Sequence, residues 1–84
     1  MTRQALYEWV VDTHKCIPLP EIISSAPCLY VQNNKTKRRA TLIVPIDDRY
    51  VKNMTVIATC TQLGIPVPPG LEDEAGYFND IRQQ

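Results

Sequence analysis

The chain predicts an α+β domain: an N-terminal helix, an antiparallel β-hairpin over about 28–46, a central helix over about 48–63, an extended proline linker and a C-terminal helix. Three observations carry that expectation. Apolar residues recur at helical spacing near both ends of the chain. Two strand-forming runs flank the polar stretch NNKTKRR. The densest apolar run, Ala40 to Gly64, stops at a glycine that is soon followed by proline.

Eighty-four residues accommodate one small domain, residues 1–84, with a modest core. The first helix is expected over residues 3–15. Leu6, Trp9, Val10 and Thr13 fall at i, i+3, i+4 and i+7, and Thr2 is placed to cap the helix. Trp9, the single tryptophan, is expected to anchor this helix to the core. Pro18 and Pro20 then oppose any continuation of the helix, so an extended connector should follow. One helical turn is expected over Glu21–Ser25, broken by Ala26-Pro27.

Cys28–Gln32 and Ala40–Ile46 are rich in strand formers and are separated by a turn-prone polar loop, which predicts a hairpin. Ala40, Leu42, Val44 and Ile46 should share one face, with Pro45 near the strand end. A two-stranded sheet is weak alone, so a third strand near Ile65–Val67 or dimerisation is expected to support it.

Asp47 is the expected N-cap of the central helix, and Gly64 with Pro66 its stop. The β-branched run within MTVIATCT argues for a strand instead, but the cap and stop signals favour helix. On that helix, Tyr50, Val51, Met54, Ile57, Ala58 and Thr61 form one apolar stripe, expected to face the core. Val56, Cys60 and Leu63 form a second row, expected as a protein interface or a homo-oligomer contact. IPVPPG reads as a rigid spacer. Leu71–Arg82 reads as a final helix, with Glu72, Asp73 and Glu74 in its first turn.

The chemistry-bearing residues are sparse. A structural zinc site needs four nitrogen or sulfur ligands, usually in close pairs. Here His14, Cys16, Cys28 and Cys60 are scattered. With three glycines, no phosphate-cradling loop can be assembled. A cysteine nucleophile paired with His14 lacks an orienting acid. No catalytic residue, metal or cofactor is therefore expected, and the protein is read as a non-enzyme. PVPPG after the central helix also precludes a helix-turn-helix.

Net charge is zero, but it is unevenly spread. Residues 1–42 hold six basic and three acidic side chains, and residues 43–84 reverse that ratio. Lys35, Lys37, Arg38 and Arg39 crowd the hairpin loop, with Tyr30 nearby to stack a base and Asn33, Asn34 and Thr36 as further donors. Such a tip suits an acidic protein surface or a phosphate backbone equally well. Arg3, Glu8 and Asp12 interrupt the only early apolar segment, so neither a secretory leader nor a membrane span is expected, and the three cysteines are read as free thiols in the cytoplasm. The expected function is regulation or inhibition of another macromolecule by direct protein–protein contact. The alternative is nucleic-acid binding through Lys35–Arg39.

Overall fold

The computed structural model describes residues 1–22 and 28–73. Its elements run in the order α1 (Arg3–Tyr7), a π-helical segment (Glu8–Thr13), β1 (Ile17–Ile22), β2 (Cys28–Gln32), β3 (Arg39–Ile43) and α2 (Asn53–Leu63). The α+β class therefore holds. The expected C-terminal helix falls almost wholly outside the described residues, as does most of the turn expected over Glu21–Ser25. Glu21 and Ile22 themselves belong to β1.

Thr2 caps α1 as its position implies, its Oγ1 accepting from the Ala5 amide at 3.0 Å. The helix then widens to π winding, and the His14 amide donates to the Trp9 carbonyl at 3.1 Å. A wider turn advances each residue by less than 100°, so the stripe drawn for a regular helix drifts. Leu6 and Val10 are buried and Trp9 is half-buried, while Thr13 faces solvent. Trp9 does anchor the helix: it packs against the core, and its Nε1 donates to the Pro66 carbonyl at 2.9 Å.

The sheet has three antiparallel strands in the order β1-β2-β3. Its third strand is IPLPEI, not Ile65–Val67, which lies outside any strand. Pro18 and Pro20 had argued for a mere connector. An edge strand, however, leaves one side of its backbone unpaired, so proline is tolerated there and also blunts the edge against aggregation. The pairing of β1 is correspondingly irregular, with a register shift between Pro18 and Ile22. This strand removes the structural need for dimerisation to complete the sheet.

The hairpin forms as the sequence predicts, with Cys28 opposite Ile43 and Gln32 opposite Arg39. It ends at Ile43, before Pro45. Strand alternation puts Leu29, Val31, Ala40 and Leu42 on the inner face, where Val31, Ala40 and Leu42 join Leu6, Val10, Cys16, Val51, Val56, Cys60 and Leu63 in the core.

The central segment is helical despite its β-branched residues, but it begins five residues later than Asp48. Lys52 is the cap residue and makes no side-chain capping bond. Asp47 is occupied elsewhere. Its carbonyl accepts from the Gln4 amide at 3.0 Å, and the Arg49 carbonyl accepts from the Arg3 amide at 2.8 Å. Residues 47–51 are thus held beside the N-terminus, satisfying two amides that α1 cannot bond internally. Its carboxylate also accepts from the Arg49 amide at 3.0 Å and pairs with the Arg49 guanidinium at 3.3 Å. Gly64 closes α2 in the left-handed region, φ 73°, as its position implies.

The helix is rotated relative to its expected orientation. Tyr50 and Met54 are 69% and 53% exposed, whereas Val56, Cys60 and Leu63 are all 0% exposed. The row assigned to a partner is the core row, and it has no surface to offer a second chain. Ile57 and Val51 are the members of the other stripe that are buried.

Candidate functional site

Of the binding surfaces the sequence points to, the basic hairpin tip remains, with the outer face of the sheet beside it. Residues 33–38 form the loop, and its organising residue is Asn33, which is 8% exposed. Its amide donates to the Arg38 carbonyl at 2.9 Å, and its carbonyl accepts from the Lys37 amide at 2.7 Å. Its side-chain oxygen accepts from the Lys35 amide at 3.0 Å, the geometry by which asparagine stabilises a tight turn. Its side-chain nitrogen reaches across to the Leu63 carbonyl at 2.9 Å.

That last bond ties the tip to the carboxyl end of α2. The Thr36 hydroxyl donates to the same Leu63 carbonyl at 3.2 Å, and Arg38 Nη1 donates to the Thr61 carbonyl at 3.4 Å. A helix leaves its last carbonyls without internal partners, and here the hairpin supplies several of them. The cations also sit favourably at the negative end of the helix dipole. Lys37 adopts φ 62° to close the loop.

Each expected site residue can now be placed. Lys35, Lys37, Arg38 and Arg39 are all exposed at the tip. Arg38 is partly committed to α2, and Arg39 donates from Nε to Gln32 Oε1 at 2.9 Å across the hairpin. Asn33 and Thr36, expected to donate to a ligand, spend those groups on Leu63. Tyr30 is half-buried on β2. The register puts it, with Gln32, Arg39, Thr41 and Ile43, on the outer face of the sheet, and Ile17 of β1 lies opposite Gln32. Ile17 and Ile43 are 43% and 46% exposed. Ile43 falls on a strand face legible from the sequence, but Ile17 does not, because its segment reads as a connector; a period-two pattern through Pro18 is the available signal.

The thiols stand apart from this surface. Cys16 and Cys60 are buried and Cys28 is half-buried, all unbridged. Burial pushes the Cys60 thiol up to about 11; neighbouring Cys16 adds to that rise and a contact with Trp9 opposes it. Burial also raises Cys16. Such thiols stay protonated at neutral pH and are poor nucleophiles and metal ligands. Among the described residues, no three His, Cys, Asp or Glu side chains converge as a metal site. No described helix is long and apolar enough to cross a membrane.

No family model, curated protein or solved structure matches the chain.

Proposed function

We propose that the protein is a small non-catalytic binding module that regulates or inhibits another protein by direct contact, using the hairpin tip and outer sheet face against an acidic surface. The observation that carries this reading is the bracing of the tip. Asn33, Thr36 and Arg38 fasten it to α2 while Lys35, Lys37 and Arg39 remain exposed. A cationic loop held in place before binding loses little entropy on association, and its field favours acidic partners. Ile17 and Ile43, exposed on the adjoining face, favour a protein partner, since they offer apolar contact next to the charge.

Tyr30 supports a second reading. It shares the outer face with Arg39, an arrangement that suits stacking of a base beside a phosphate contact.

Capture from the native cell by the wild-type chain, compared with a Lys35→Glu, Lys37→Glu, Arg39→Glu triple variant, tests the site. A partner retained by the first and lost by the second, with the fold intact, supports the tip as the contact surface. Equal capture by both removes it. If nuclease treatment abolishes capture, and mixed-sequence RNA or DNA binds with steep salt dependence, nucleic acid replaces protein as the target.

A further inference from the structure

Beside the tip lies a groove that shares Lys35 with the partner reading but is otherwise outside it. Its volume is about 390 Å³, within the range of small-molecule sites. One wall is the turn at His14 and Lys15, the second is Asn33, Asn34 and Lys35, and the floor is the segment Gly64 to Pro66. Two lysines, a histidine and the Asn34 amide line a common space, and among the described residues no carboxylate lines it. The same groove includes apolar surface from Ile65 and Pro66.

Both walls and the floor are fixed in advance. The His14 amide donates to the Trp9 carbonyl and the Cys16 amide to the Val10 carbonyl, bracketing a Lys15 whose backbone is left-handed at φ 58°. Asn33 bonds to Leu63 and to Lys35. The floor is held by the Ile65 amide on the Cys60 carbonyl and by Trp9 Nε1 on the Pro66 carbonyl. His14 packs edge-on against Trp9, ring centroids 4.5 Å apart, and its Nε2 is buried without a hydrogen-bond partner, alone in this among the described residues.

We propose that this groove binds the phosphate group of a small molecule. Lys15 and Lys35 supply charge from opposite walls, and Asn34 supplies amide donors. Ile65 and Pro66 accommodate an apolar or aromatic substituent beside the phosphate. The carboxyl end of α2 opposes an anion, but the Leu63 and Thr61 carbonyls are occupied by Asn33, Thr36 and Arg38. The proposal stands on the groove and does not depend on what the tip recognises.

The test is a nuclear magnetic resonance titration of the full chain at low salt, with inorganic phosphate and with phenyl phosphate as probes. The expected result is saturable shifts concentrated at His14, Lys15, Asn34 and Lys35, with phenyl phosphate the tighter of the two. Lys15→Asn keeps a residue that tolerates the left-handed backbone while removing the charge, and should weaken binding about tenfold. Lys35→Gln, on an exposed loop position, should weaken it similarly and serves if the first variant misfolds. Lys52→Gln, at the other end of α2, should leave affinity unchanged. Non-saturating shifts spread evenly over Lys37 and Lys52, or wild-type affinity in both the Lys15 and the Lys35 variants, would overturn the proposal.

Discussion

The two ends of α2 are built on opposite plans. At its amino end Lys52 stands at the cap position with no side-chain bond to the helix, and the neighbouring Tyr50 and Met54 lie exposed. At its carboxyl end Gly64 turns the chain back, its amide donating to the Thr61 carbonyl at 3.1 Å, and Asn33, Thr36 and Arg38 come in from the hairpin to bond Leu63 and Thr61. A helix can be terminated by local residues alone. Here a distant loop shares the task, which links the hairpin tip, the adjoining groove and the core. The surface assigned to function is thus mechanically continuous with the most buried part of the fold.

The most severe break in that plan is an acid introduced at the carboxyl end. Leu63→Asp places a charge at a fully buried position and should cost on the order of 4 kcal/mol or more, enough to unfold so small a domain. Met54→Asp, at the exposed amino end, should change stability by no more than about 0.5 kcal/mol. Chemical denaturation of the two variants compares the ends directly; equal losses would mean that α2 is not rotated as described.

A smaller effect is expected from Asn33→Ala. It removes the amide that reaches the Leu63 carbonyl and strips the Lys35 amide of its acceptor, for a cost of about 1–3 kcal/mol. Hydrogen exchange should accelerate across residues 33–38 before it accelerates in the β2–β3 ladder. If the loop amides exchange as in wild type, the tip is braced by something other than Asn33.

The remaining expected effect is a gain. Lys52→Asp gives the amino end of α2 the side-chain acceptor it lacks and a charge suited to the helix dipole, and should stabilise the chain by about 1 kcal/mol. A shift of the denaturation midpoint at constant slope would register it. No gain would show that the first-turn amides already have adequate partners.

Much of this architecture is legible from local chemistry. Thr2 caps α1, Gly64 ends α2, and two strand-forming runs about a polar loop pair in register. Each of these depends on residues near one another in the chain. The failures share one physical cause. Asp47 looked like a helix cap because the competing acceptor role toward Gln4, more than forty positions away, leaves no mark on the local pattern. Pro18 and Pro20 looked like breaks because an edge position, which excuses them, is a property of the whole sheet. For the binding surface, the cluster Lys35–Arg39 could be read directly, whereas its bracing by Asn33 and Thr36 could not. The groove joins His14 to Lys35 across twenty positions and has no sequence signature at all.

The sequence by itself determined that α2 is a helix with two apolar rows and that a basic loop tips the hairpin. Only the tertiary structure decided which row is core. A helical pattern specifies faces relative to one another, but their direction is set by the layer against which they pack. Val31, Ala40 and Leu42 form that layer, and they meet Val56, Cys60 and Leu63. The row first assigned to a partner therefore holds the molecule together, and the expected binding surface lies at the hairpin tip and outer sheet face.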